Sequence, residues 1–380
     1  MMERRQIVRA AQQGDAQVLV TLVHVEGSSY RQPGARLLTS RANSGTYAGT
    51  ISGGCLEAEV VQKAAWKVRG GSVVEHYSTL FDDTAEIPFG LGCGGAVDLL
   101  FEPAGTAEFD ALIAALAASL QGEEFTAITW LPGSETPFAR AILNSDRKII
   151  FASRSLDPIE VHNALLSGSH WKKSTGGVDV EHLVPPQRFV VFGAGDDAKP
   201  LVRMAALLGW AVIVIDGRTQ LARPERFPEA DRVLVALSGD AAALGIRSSD
   251  AVVLMTHSYE QDREWLAALL PIAPRYFGVL GAKHRSSLLV NEAAAITGLP
   301  LATCCERIYA PVGLDLGGDG PEAIALAVIA EAHARCMGKL GKSLRLSVED
   351  VAAQVRDGSA SRYLQAQCAV PANDIVSPAI

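Results

Sequence analysis

Phe189-Val190-Val191-Phe192-Gly193-Ala194-Gly195-Asp196-Asp197-Ala198 is the stretch on which the reading of this chain turns. Four consecutive apolar residues suit a strand covered on both faces. They run into G-x-G-x-x-A, an accepted form of the turn that joins the first strand of a Rossmann unit to its helix. Gly193 permits the tight turn, Gly195 lets a phosphate approach the backbone, and the small Ala198 lets helix and strand pack closely. A helix starting here points unpaired N–H groups and a partial positive charge at an anion. Asp216 closes the next strand, 21 residues past Gly195, the spacing at which a carboxylate contacts a ribose hydroxyl. The pattern specifies the fold more firmly than a ligand. Asp196 and Asp197 stand where a phosphate would come, and their charges oppose it. Bound NAD(P), a phosphate-bearing pterin and a purely structural turn are the readings left open.

The same rhythm continues outward. Strands are expected at 188–192, 211–215, 231–236, 251–256 and 275–280, alternating with helices at 196–209, 260–270 and 283–296. That alternation implies a parallel sheet with helices on both faces. A last helix runs from Glu322 to about Met337, after Pro321. His257, in Met255-Thr256-His257-Ser258, falls at the carboxyl end of a strand, where open α/β sheets bind ligands. It suits a polar or acid–base role, yet the sequence offers it no evident partner. Cys304 and Cys305 read as the end of a strand.

Upstream the pattern is different. Helices are expected at 3–13, from Cys55 through Arg69, and at 106–121. Strands are expected at 17–25, 37–39, 46–51, 73–77, 96–101, 125–131, 138–143 and 148–152, and 153–187 is weakly patterned. The change of rhythm at Pro185-Pro186 divides the chain into an N-terminal domain over 1–186 and a Rossmann-like domain over 187–370, with a disordered tail over 371–380. Two cysteines in the first half are framed by glycines. Cys55 follows Ser52-Gly53-Gly54 at a helix start, a position that stabilises a thiolate. Cys93 lies in Gly92-Cys93-Gly94-Gly95, where bare backbone leaves a thiol reachable and admits a bulky ligand. Accessible thiolates suit soft or sulfur-bound centres. Glu26, Arg31 and Arg36, around the first glycine loop, are further candidates for an anionic ligand.

Composition sets outer limits. Of 380 residues, 48% are apolar and 20% charged, with a net charge of −8, so a folded protein is expected and neither nucleic acid nor an anionic membrane is an expected partner. Six cysteines include no CxxC pair, which disfavours a structural zinc site. With no long apolar run and no signal-peptide pattern at the start, the expected location is the cytoplasm.

Taken in order, these motifs resemble the XdhC/CoxI family. The resemblance rests on His24-Val25-Glu26-Gly27-Ser28-Ser29-Tyr30-Arg31, Pro33-Gly34-Ala35, Gly49 through Glu57, and Gly90 through Gly95. It continues with Gly193 through Ala198, Met255-Thr256-His257, Gly278-Val279-Leu280-Gly281, Ala310 through Gly317, and Pro321-Glu322. Ser258, Ala282-Lys283-His284 and Gly320 depart from the family's usual residues.

The resemblance implies an α/β protein, an XdhC/CoxI-type N-terminal domain followed by a Rossmann-like domain with a parallel sheet. It implies an accessory factor and not a hydroxylase. Such a factor binds molybdenum cofactor (molybdopterin) transiently, supports its sulfuration by a cysteine desulfurase and delivers it to a xanthine dehydrogenase-like molybdenum hydroxylase. A homo-oligomer is expected. The cofactor-binding residues it points to are Cys55, Cys93, Gly53, Gly54, Gly94, Gly193, Gly195, Asp216 and His257. The alternative is a nicotinamide-dependent oxidoreductase working through the Rossmann domain.

Overall fold

The structure is a computed structural model that describes residues 1–27, 29–43, 45–54, 56–78, 95–172, 176–343, 345 and 347–349. Cys55, Cys93 and Gly94 lie outside the described residues, as does the expected tail over 371–380. The chain divides into two compact units, one built on Glu3–Pro185 and one on Pro186–Ser343 together with Met1–Met2.

The first unit opens with helix α1 (Met2–Gln12) and strand β1 (Ala16–Glu26), followed by β2 (Arg36–Ser40) and β3 (Tyr47–Gly49). Helix α2 (Glu57–Lys67), β4 (Val73–Ser78), β5 (Ala96–Pro103) and α3 (Ala107–Leu120) come next. Then come β6 (Phe125–Leu131), β7 (Arg140–Asn144), β8 (Ile149–Ala152), α4 (Pro158–Ser167), β9 (His170–Lys172) and β10 (Gly176–Leu183). They form two antiparallel five-stranded sheets, in the orders β3-β2-β1-β5-β4 and β8-β7-β6-β10-β9. β1 is buried on both faces for a physical reason. Val18, Val20 and Leu22 pack with α2 residues Val60 and Ala64, while Leu19 packs with α1 and α3 and with Phe125 and Ile142 of the second sheet. α4 covers the far face of the second sheet through Val161 and Ala164. Its start is set by Asp157, whose carboxylate accepts from Ile159 N at 2.7 Å, with Pro158 as first helical residue.

The second unit runs β11 (Arg188–Phe192), α5 (Ala198–Leu207), β12 (Ala211–Asp216), β13 (Arg232–Val235), β14 (Ala251–Leu254), α6 (Tyr259–Leu269) and β15 (Tyr276–Val279). It ends with α7 (Lys283–Thr297), α8 (Leu301–Arg307) and α9 (Pro321–Cys336). The sheet order is β13-β12-β11-β14-β15, all parallel. Alternation along β11 splits the core. Phe189 and Val191 face α5 and α9, and Val190 and Phe192 face α6 and α7. The order steps from β11 to β12 on one side and to β14 on the other. The switch point at which open α/β sheets take ligands therefore falls at the carboxyl ends of β11 and β14.

Some expectations need correction. Cys304 and Cys305 lie in helix α8, not at a strand end. A short apolar run is ambiguous by periodicity alone, and Pro300 at the helix cap with Cys304 and Ile308 turned into the core settles it. The strand expected over 46–51 stops at Gly49, because residues 50–54 leave the sheet to contact Glu57. The weakly patterned stretch before Pro185 holds α4, β9 and β10. Among the described residues no single helix is long and apolar enough to cross a membrane.

Candidate functional site

In the first unit, the segment before Cys55 is organised around one carboxylate. Glu57, 2% exposed, accepts hydrogen bonds from the backbone N–H groups of Ile51 (3.0 Å), Ser52 (2.9 Å), Gly53 (3.1 Å) and Gly54 (2.9 Å). It also accepts from the hydroxyls of Thr50 and Ser52, and Ser52 Oγ in turn accepts from Leu56 N at 2.9 Å. Burial pushes the Glu57 carboxyl up, but these hydrogen bonds outweigh it and hold the pKa at about 2. Gly53 and Gly54 sit at φ +90° and +118°, conformations that favour glycine. A Cβ on Gly54 would meet nothing within 4 Å, whereas one on Gly53 would stand 2.8 Å from Tyr30 Cδ1. The loop therefore presents open backbone at Gly54, while Tyr30 lies against Gly53. Glu57 was visible only as part of a motif; its signal was an acid three residues after Gly54, in the first turn of a helix.

A second feature of this unit came from register. His24, Asp98 and His76 are directly paired across β1, β5 and β4. The buried Asp98 carboxylate takes both imidazoles, with His24 Nδ1 3.1 Å from Oδ2 and His76 Nδ1 2.9 Å from Oδ1. Trp171 stands edge-on to the His24 ring, centroids 5.5 Å apart. The three residues lie 52 and 22 positions apart in sequence, so no local spacing could reveal them. One buried carboxylate thus fixes the orientation of two half-exposed imidazoles. Among the described residues no group of three His, Cys, Asp or Glu is arranged to hold a metal ion.

In the second unit the glycine turn forms as its sequence requires. Gly193 has φ +123° and donates to Ile215 O at 2.8 Å; a Cβ there would lie 2.7 Å from the Met255 carbonyl carbon. Ala198 is fully buried between helix and strand. Asp216 ends β12 as expected, but its acceptor positions are taken. Oδ1 accepts from Arg218 N (2.8 Å) and Nε (2.9 Å), and Oδ2 accepts from Ala194 N (2.8 Å) and from the Arg218 guanidinium (2.7 Å). Burial alone would raise its pKa, and Arg218 with the backbone donors holds it below the usual carboxylate range.

His257 does have a partner, contrary to the sequence reading. Its Nε2 lies 2.7 Å from Asp197 Oδ2. Asp196 is neutralised separately by Lys199 (2.7 Å) and Arg226 (2.9 Å). His257 occupies the left-handed region, φ +61°. The bend is held from below: Thr256 Oγ1 donates to the fully buried Asp262 at 2.7 Å, and the other Asp262 oxygen accepts from Arg285 at 2.7 Å. Arg285 also donates to Leu280 O at the end of β15. Ser258 caps α6 through Gln261 N at 3.4 Å, while Gly320 offers α9 no side-chain cap.

A Rossmann unit with a glycine turn and an antiparallel unit whose first loops are rich in glycine define the class, a two-unit α/β protein. The match to known proteins narrows it. Residues 189–332 match the XdhC Rossmann domain, and residues 10–78 match the XdhC and CoxI family. The chain belongs to the XdhC and CoxI family. It is 28% identical to a protein of Bacillus subtilis (strain 168) named as a probable subunit of xanthine dehydrogenase, over 83% of this chain and 91% of that one. It is 24% identical to the molybdenum cofactor insertion chaperone PaoD of Escherichia coli (strain K12), over 85% of each. A crystal structure from Bacillus halodurans, described as a xanthine dehydrogenase, superposes with a TM-score of 0.75 at 28% identity, covering 92% of this chain and 99% of that one.

Proposed function

We propose that this protein is an accessory factor that binds molybdenum cofactor as cargo, supports its sulfuration and hands it to a xanthine dehydrogenase-like hydroxylase. The observation that carries the reading is the match over 85% of both chains to a molybdenum cofactor insertion chaperone. In this proposal residues 1–186 form the cargo domain and 187–370 the Rossmann-like domain. Cys55 and Cys93 contact the cargo, and Gly53, Gly54 and Gly94 supply the bare backbone that admits it. Glu57 fixes the loop in place, so the ordering cost is met before the cargo arrives. Gly193, Gly195 and His257 contribute at the second unit's switch point, and Asp216 holds Ala194 and Arg218 in position there. A cysteine desulfurase supplies sulfur, the hydroxylase receives the cofactor, and the factor acts as a homo-oligomer.

The nicotinamide reading has less support. An adenosine ribose needs free acceptor positions on Asp216, and Arg218 and Ala194 occupy them. The test is anaerobic titration of the full chain with molybdenum cofactor, followed by quantification of molybdenum and pterin on the recovered protein. Stoichiometric retention without substrate-dependent reduction of NAD or NADP supports the accessory role.

A further inference from the structure

The loop that would cradle an anion carries one of its own. The Asp197 carboxylate lies over Gly195, where a Cβ would collide with Asp197 Oδ1, and its other oxygen is 2.7 Å from His257 Nε2. Gly195 has an ordinary backbone conformation, so the absent side chain serves space and not φ. That space is where the second glycine of the fingerprint lets a phosphate reach the backbone. Carboxylate and phosphate therefore compete for one seat. The neighbouring acids do not. Asp196 turns outward to Lys199 and Arg226, and Asp216 is sealed beneath Arg218. The two side chains of the Asp197–His257 pair keep 27% and 59% of their surface in solvent, so the pair can open without unfolding the unit, whereas Asp216 keeps 1%. His257 is set toward Asp197 by a left-handed backbone that the buried Asp262, paired with the part-buried Arg285, supports from two other elements.

We infer that Asp197 is the specificity-determining residue of this turn, a built-in carboxylate that His257 holds over Gly195 and that keeps phosphate groups out until the pair opens. The inference deepens the proposed role of Gly193, Gly195 and His257 in holding the cofactor, and it rests on that proposal only for the ligand's origin. The shared chemistry is a phosphate or pyrophosphate group, carried by a nucleotide or by a pterin.

The test is calorimetric titration of the full chain with inorganic pyrophosphate, comparing the parent with Asp197→Ala and Asp197→Asn. Asp197 caps α5 by position but makes no side-chain capping hydrogen bond, so both variants keep their fold. Removing a unit charge from within contact distance of the anion should tighten binding at least ~10-fold in both variants. Parallel arms with ADP and with a pterin monophosphate identify the source by which gains most. Equal or weaker binding in both variants overturns the inference, and so does the absence of measurable pyrophosphate binding in all three proteins. Failure here leaves cofactor retention by the first unit unaffected. Failure of the cofactor reading leaves the pyrophosphate gain in place.

Discussion

The Glu57 carboxylate accepts the Gly54 backbone N–H at 2.9 Å, in a loop whose other exposed glycine, Gly53, it also holds. Because its folded pKa is near 2 and its ordinary value 4.5, its contribution is fully present above pH 4.5 and lost as pH falls toward 2. The shift corresponds to about 3 kcal/mol. Glu57→Gln should flatten that acid limb in a plot of unfolding free energy against pH and lower stability at pH 7 by a few kcal/mol. An unchanged acid limb would remove Glu57 from its organising role.

Asp179 acts in the opposite sense. Burial and the nearby Glu181 carboxylate raise its pKa to about 6, with Arg36 offsetting only part. A carboxyl that binds its proton more tightly when folded stabilises the acid form, so stability from this group is lost as pH rises from about 4 to about 6. Asp179→Asn should abolish the decline over that window. A variant with the parent's profile would contradict the assignment.

The two glycines of the Rossmann turn should separate cleanly by thermal midpoint. Gly193→Ala combines a positive φ with collision against the Met255 backbone and should cost about 2–4 kcal/mol. Gly195→Ala meets only the Asp197 side chain, which can swing aside, and should cost under about 1 kcal/mol. Equal midpoints would show that the turn is not the constraint described.

Much of this was legible beforehand, and the limits have physical causes. The parallel sheet could be read because buried strands are continuous apolar runs punctuated by glycine, as Phe189–Phe192 and Gly193 show. Gly53 and Gly54 stood out because they precede a cysteine at a helix start, and their positive φ is what the structure adds. What holds those parts in place was hidden. Arg218 shields Asp216 from two residues away, and Asp197 meets His257 across 60 positions. Asp98 meets His24 across 74. The two long-range pairings are set by sheet order and register, which strand composition does not encode, and the Arg218 contact depends on a side-chain rotamer that sequence does not show. Cys304 and Cys305 misled because a helix and a strand of seven residues look alike.

The support beneath His257 gives a further test. Arg285→Met strips Asp262 of its cation and should destabilise the second unit by about 2–3 kcal/mol. It should also loosen the Thr256–Ser258 bend, seen as faster amide exchange there than on β11. Protection equal to the parent's would separate the bend from the buried pair.

Thiol reactivity tests the first unit. Burial pushes the Cys304 and Cys336 thiols up, so both should alkylate slowly at neutral pH. Cys55 and Cys93 should react faster, and bound cofactor should protect them. Mass-spectrometric rates that rank Cys304 or Cys336 first would overturn the ordering.

The most direct measurement is cofactor retention by single alanine variants at Cys55 and Cys93. Each substitution should cost only ~1–2 kcal/mol even at a buried site. The account predicts that the parent, titrated anaerobically, retains molybdenum and pterin in equal amounts, while each variant folds but loses most of both. Normal retention and client activation by both variants would contradict it and would move the cofactor site to the glycine turn at Gly193 and Gly195 and to His257.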